Sequence, residues 1–201
     1  MLLGGVVNTP PLKVWIILPG TTCSHRFLQC WTDSLAQLWT IQRYHIRVTI
    51  GCTEGDSATY GILKGHCPFV PELYDVAVII ESTVTFTADN LVNLIEGTRI
   101  HPVVAAYYAM PDEIYVCSQN SFGTYAKLAE IEAYAANPVH RYISVSHTGV
   151  GCMAARKTVI DVMIPATKAG TWDLSNACIE ANISVVIDSM TRIGHEVTKI
   201  V

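Results

Sequence analysis

Hydrophobic residues in this chain fall into short unbroken runs, and between the runs they recur at helical spacing. Val76 to Ile80 is a run of five apolar residues. It is short enough for a strand and continuous enough for one buried on both faces, as in the middle of a parallel sheet. The polar triplet Glu81-Ser82-Thr83 stands where that strand should end. After Val84 to Phe86, Thr87 is placed to cap a helix whose apolar stripe is Leu91, Leu94 and Ile95, with Gly97 to stop it. Strand, polar tip and helix make one βα unit, around which the rest of the chain is organised.

The same alternation runs on both sides of that unit. Lys13 to Leu18 predicts a strand, and Thr22 or Ser24 is placed to cap a helix over His25 to Trp39, whose Phe27, Leu28, Trp31, Leu35, Leu38 and Trp39 share a face. His45 to Ile50 predicts a strand, and Gly51 to Gly65 a glycine-punctuated loop. Ile100 to Tyr108 contains a strand, VVAAYY, whose small residues suit close packing. Thr124 to Ala136 predicts an outer helix closed by Asn137-Pro138. Arg141 to Ser146 predicts a strand, Arg156 to Met163 a helix ended before Pro165, Asp173 to Asn182 a helix, and Ser184 to Ile187 a last inner strand. The tail from Met190 onward is a candidate edge strand. Strand-helix alternation of this kind predicts an α/β fold with a mostly parallel sheet flanked by helices.

With 201 residues, half of them hydrophobic and 15% charged, one sizeable core is expected in a single domain over 1–201, residues 1–11 being a loose lead-in. A formal net charge of -4, with no local cluster of Lys and Arg, argues against nucleic-acid binding. No apolar run approaches the roughly 20 residues of a membrane span, so a cytoplasmic protein is expected. The seven cysteines form no C-x-x-C pair and no zinc spacing, and are expected to be small buried residues in a reducing compartment.

Ligands of open α/β sheets bind outside the carboxyl ends of the strands, so polar residues at predicted strand ends are the candidates: Glu81 and Thr83, Asp173, then Asp188 and His195. No dinucleotide fingerprint, P-loop or nucleophile elbow is present. Each candidate also has a plainer reading. Glu81 suits a solvated strand end, Thr83 is an ordinary β-former, Asp173 suits the first turn of its helix, and His195 suits an exposed turn. Gly149 and Gly151 bend the chain or leave room for a ligand. Trp15, Trp31 and Trp39 are expected in the core, and Trp172 is free to stack on a ring.

Taken together and in order, ILPGTTCSHRFLQCW, YDVAVIIESTVTFTADNLVNLIEG, HPVVAAYY, RYISVSHTGVGCMAARKTVIDVMIP and WDLSNACIEANISVVIDSMTRIGHE span nearly the whole chain. They resemble the small glycosyltransferase-like proteins of the GT-A type found in tailed phages and related viruses. The resemblance implies a single Rossmann-like GT-A domain that transfers a sugar from a nucleotide sugar to a hydroxyl on a glycan, protein or modified base. It implies Mn²⁺ or Mg²⁺, held by oxygen ligands. Carried over by position, Glu81 and Thr83 stand for the family's D-x-D pair, Glu81 and His195 are the implied metal ligands, Gly149 and Gly151 belong to the donor site, and Asp173 is the implied base for the acceptor hydroxyl. Three positions depart from the pattern: Glu81 keeps a carboxylate but is one methylene longer than Asp. Thr83 is neutral where the family has a carboxylate, and Trp172 replaces the first acid of its E-D pair. Those departures support an alternative, a non-catalytic descendant of the fold that binds a nucleotide, glycan or protein partner or serves in a virion.

Overall fold

A computed structural model of the protein describes residues 10–18, 23–50, 73–110, 115–119, 124–148, 151–166 and 178–195. The chain runs through β1 (Leu12–Leu18), α1 (His25–Thr40), β2 (Tyr44–Ile50), β3 (Val76–Ile80), β4 (Val84–Thr85), α2 (Ala88–Gly97) and β5 (Val103–Tyr107). It continues through β6 (Tyr115–Gln119), β7 (Tyr125–Lys127), α3 (Leu128–Ala135), β8 (Tyr142–Val145), β9 (His147–Thr148), β10 (Cys152–Arg156), α4 (Lys157–Ala166), β11 (Val185–Arg192) and β12 (Gly194–His195). Among the described residues, seven strands form the main sheet in the order β2-β1-β3-β10-β5-β11-β8. β2, β1, β3, β5 and β11 run one way, while β10 and β8 run against them. The mostly parallel α/β sheet expected from the alternation is present.

β10 corrects the picture of β3 as a strand between parallel neighbours. Cys152–Arg156, which the sequence marks only as the stretch between a glycine pair and a helix, lies antiparallel between β3 and β5. Its Met-Ala-Ala residues are helix formers in isolation. At the centre of the sheet the small size of the two alanines matters more, Ala154 and Ala155 sitting beside Val78 and Ala77 in register.

Local signals fix the two helices on one face. The Ser24 hydroxyl accepts from the Phe27 amide at 3.0 Å and caps α1. Thr87 and Asn90 form a reciprocal capping box on α2. Phe27, Trp31, Leu35 and Leu38 of α1 join Leu91, Leu94 and Ile95 of α2 in one buried layer with Val14, Ile16, Val78 and Val104. On the other face Leu128 and Ile131 of α3 and Val159 and Ile160 of α4 join Trp15, Ile17, Ala77, Ile79 and Ile187.

Several expected boundaries move. Trp15 and Trp31 are buried, but Trp39, in the last turn of α1, is 63% exposed. Gly97 does not stop α2 from outside; it is the last helical residue, and Thr98 is the cap. α3 starts at Leu128 because Tyr125 to Lys127 pair with β6 instead. α4 reaches Ala166, beyond the stop expected before Pro165, a proline being a probable rather than certain boundary. Of the helix expected over Asp173 to Asn182, residues 178–180 are helical and the earlier part lies outside the described residues. Asn182, at φ 54°, turns the chain towards β11. Cys152 and Cys178 are buried as expected of small core residues, whereas Cys23 is exposed. No helix among the described residues is long and apolar enough to cross a membrane.

Candidate functional site

The sheet order reverses direction at β1. β1 has β2 on one side and β3 on the other, so the connections leaving the carboxyl ends of β1 and β3 go opposite ways. Such a topological switch point is where open α/β sheets bind ligands. Glu81, Ser82 and Thr83 leave β3 at that place. The Glu81 amide donates to the Gly151 carbonyl at 2.9 Å, and the Val84 amide donates back to the Glu81 carbonyl at 3.3 Å. The resulting turn sends the chain into β4.

β12 arrives at the same turn from the far end of the chain, pairing antiparallel with β4 so that His195 lies opposite Val84 and Gly194 opposite Thr85. A bulge in β11 brings it there. Ile187 pairs with Ala105 and Arg192 with Tyr107, five steps along β11 against two along β5. Asp188, fully buried, holds the bulge. It accepts from Arg141 at both carboxylate oxygens (2.8 and 2.6 Å), from the Met190 amide at 3.1 Å and from the Thr191 hydroxyl at 2.6 Å. Asp188 is therefore a buried structural anchor, not an open strand-end carboxylate.

Thr83 and His195, 112 residues apart in sequence, meet across β4 and β12 with Oγ1 and Nε2 3.5 Å apart, the outer limit of a hydrogen bond. Tyr108 stacks on the His195 ring, centroids 4.6 Å apart and planes 15° from parallel, which fixes the imidazole's orientation. Nothing in the sequence singles out Tyr108 except its place at the end of the VVAAYY run. Gly151 is buried, and a Cβ there would lie 3.1 Å from both Tyr108 Cε1 and Val84 Cγ1. Its missing side chain lets those two close over the backbone beneath the site. Burial, reinforced by the negative charge of Glu81, pushes the Cys152 thiol up to about 12, so it stays protonated and unreactive beside the carboxylate.

The structure brings Glu81, Thr83, Gly151 and His195 together. Asp173, Gly149 and Trp172 lie outside the described residues, as do Glu54 and Asp56, two acids free in sequence to replace the carboxylate missing at Thr83. A third acid, Asp75, is placed elsewhere. It precedes β3 at the opposite end of the sheet, where its Oδ2 accepts from the Lys13 amide at 2.8 Å.

As a donor set for a divalent cation, these residues fall short. Mg²⁺ and Mn²⁺ sites are built from carboxylate and other oxygen donors, and among the described side chains this turn offers one carboxylate and the neutral hydroxyls of Ser82 and Thr83, with the His195 imidazole beside it from β12. No three His, Cys, Asp or Glu side chains among the described residues come together to hold a metal. The described residues do not fit a cation held by the protein alone.

No protein-family model matches the chain, and no curated protein sequence matches it. Solved structures do. The STIV protein A197 superposes with a TM-score of 0.57 at 11% identity, over 92% of this chain and 86% of that one. A Drosophila galactosyltransferase 7 variant in complex with manganese, UDP-Gal and xylobiose gives 0.54 at 14% identity, over 92% and 70%. The 4-diphosphocytidyl-2C-methyl-D-erythritol synthase of Anaerococcus prevotii gives 0.52 at 13% identity, over 94% and 91%. At these identities the likeness shows the fold alone. The fold is that of the GT-A-like transferases.

Proposed function

We propose that this protein binds a nucleoside-diphosphate sugar across the carboxyl ends of β1 and β3 and transfers the sugar to a hydroxyl on a glycan, protein or modified base. The observation that carries the proposal is the convergence of Glu81, Thr83 and His195 at the switch point of a GT-A-like sheet. Glu81, at the end of β3, suits the ribose, whose hydroxyls would donate to its carboxylate. Thr83 and His195, facing each other, suit the diphosphate. Gly149 is proposed beside the donor sugar on the resemblance alone, and Gly151, buried beneath Tyr108 and Val84, shapes the floor of the site.

Transfer forms a bond from the acceptor oxygen to the anomeric carbon and breaks that carbon's bond to the diphosphate. The acceptor's proton needs a base, and Asp173 is proposed for it. The galactosyltransferase complex that shares this fold holds UDP-Gal together with manganese, so Mn²⁺ or Mg²⁺ belongs in any binding test.

A second reading, a binding module without catalysis, is favoured by one observation: Thr83 is neutral and turned towards His195, where the resemblance leads one to expect a carboxylate.

Thermal unfolding against UDP, GDP, CMP and their sugars, each with and without Mn²⁺, tests the proposal. A ligand at about 100 times its dissociation constant should raise the midpoint by a few degrees. No shift with any of them would overturn donor binding. Sugar transfer lost in Asp173→Asn, with the midpoint shift retained, supports the transferase. A shift with no transfer by the parent protein supports the binding module.

A further inference from the structure

The mismatch between the donor set and a divalent cation has a positive side, because the same two side chains that make a poor metal site make a good direct site for a phosphate oxygen. The Thr83 hydroxyl and the His195 ring nitrogen face each other at 3.5 Å, too far apart to satisfy each other well. Both can donate, and a phosphate oxygen set against the pair from the solvent side would accept from both. Neither needs to move far. His195 is held by the stacked ring of Tyr108. It is also held by the close approach of β12 to β4, which depends on Gly194, because a Cβ there would overlap the Thr85 hydroxyl. Glu81 is a half-buried acceptor on the same turn. It would repel a diphosphate at close range and is better matched to ribose hydroxyls.

We infer that the site binds its nucleoside diphosphate without a divalent cation, Thr83 and His195 donating directly to the phosphate oxygens and Glu81 accepting from the ribose. The inference rests on the donor-binding function proposed above. It predicts that a carboxylate at Thr83 changes the character of the site. Beside Glu81 and His195 it would repel the bare diphosphate and supply the missing oxygen ligand, so that binding becomes cation-dependent.

The test is calorimetric titration of UDP, GDP, CDP and ADP into the full chain, in EDTA and in Mn²⁺, for the parent protein, Thr83→Asp and Thr83→Val. Thr83 is exposed, so neither substitution disturbs the core. The parent protein should bind one of these nucleotides equally well, within about twofold, in EDTA and in Mn²⁺. Thr83→Val should bind it about tenfold or more weakly in EDTA, as expected for loss of a hydrogen bond to a charged group. Thr83→Asp should bind it weakly in EDTA and regain at least about tenfold with Mn²⁺. Loss of about tenfold or more when Mn²⁺ is removed from the parent protein would overturn the inference while leaving donor binding intact. Unchanged affinity in Thr83→Val would also overturn it. If none of the four nucleotides bound under either condition, donor binding itself would fail, and this inference with it.

Discussion

Arg141 grips Asp188 through two parallel hydrogen bonds, Nε to Oδ1 at 2.8 Å and Nη2 to Oδ2 at 2.6 Å, and the carboxylate has no exposure to solvent. The partners come from the loop before β8 and from β11, so the pair ties the sheet's edge to the bulge that delivers His195. Burial alone would make the guanidinium easier to deprotonate, but the hydrogen bonds and charge of Asp188 outweigh it and hold the Arg141 pKa above its ordinary value. Removing one partner of such a pair strands a buried charge, at a cost of about 3–5 kcal/mol. Arg141→Met, which keeps much of the aliphatic stem, should therefore lower urea-unfolding stability by about that amount. A loss below about 0.5 kcal/mol, the level of an ordinary surface change, would show that Asp188 is held well enough by Met190 and Thr191 alone.

Gly194 should tolerate no side chain while Thr85 keeps its hydroxyl, because a Cβ would overlap Thr85 Oγ1 where β12 meets β4. Gly194→Ala is expected to destabilise by about 1–3 kcal/mol, the range for overpacking. Thr85→Ala removes the colliding atom, so the double variant should recover most of the loss. That non-additivity is the measurement. Equal stability of Gly194→Ala and the parent protein would mean that Thr85 rotates aside freely and that the contact does not fix His195.

What the sequence makes legible here is local, and what it hides is pairing at a distance. The run Val76 to Ile80, the caps Ser24 and Thr87, the stripe of α2 and, in α1, Phe27, Trp31, Leu35 and Leu38 depend on neighbours within a few residues and are found where expected, whereas Leu28 of the α1 stripe is exposed. β10 is hidden because Met-Ala-Ala has no strand preference of its own; the strands on either side of it supply one. Trp39 lies in the last turn of α1, where a helical stripe can outrun the surface it packs on, and so an apolar residue at the right period stands 63% exposed. At the site, Glu81, Thr83 and His195 are legible as polar residues at strand ends. Their meeting is implied only by the family resemblance and by no local pattern, because it depends on the β11 bulge and the β4–β12 pairing. Asp188 has the same strand-end signature, and only its partners separate an anchor from a ligand-binding residue.

Glu96 should lend the fold an acid-sensitive component. Burial works against its carboxylate, but the Tyr44 hydroxyl at 2.6 Å, Arg99 at 2.6 Å and Arg43 at 3.5 Å outweigh it and lower its pKa. A carboxyl whose folded pKa is depressed stabilises the fold above its unfolded value, about 4.3, and that stability is lost as pH falls through the lower folded value. The midpoint of Glu96→Gln should thus lie below that of the parent protein near neutrality, and the gap should narrow steadily below about pH 4. Melting curves taken across that range decide it. A gap that stayed constant would assign the loss to packing or to the Tyr44 hydrogen bond instead of to ionisation.

Gly97 sets two effects against each other, and their sizes predict the winner. Replacing a helical glycine by alanine ordinarily stabilises by about 0.8–1 kcal/mol. Here, however, α2 lies against the sheet at its last residue. A Cβ on Gly97 would stand 3.1 Å from the Tyr142 hydroxyl and 3.2 Å from both methyls of Val104. Val104 is fully buried in the middle of β5, so it has little room to retreat, and Tyr142 is held on the other side by the ring of His101 at 4.6 Å. Overpacking of this kind costs about 1–3 kcal/mol, so Gly97→Ala should be net destabilising. Trimming the obstacle should reverse the sign: in a Val104→Ala background the methyl added at position 97 would partly fill the space vacated, and Gly97→Ala should become neutral or stabilising. If Gly97→Ala stabilised the parent protein, the helix would be free to lift from β5, and the glycine would be serving only as a weak stop.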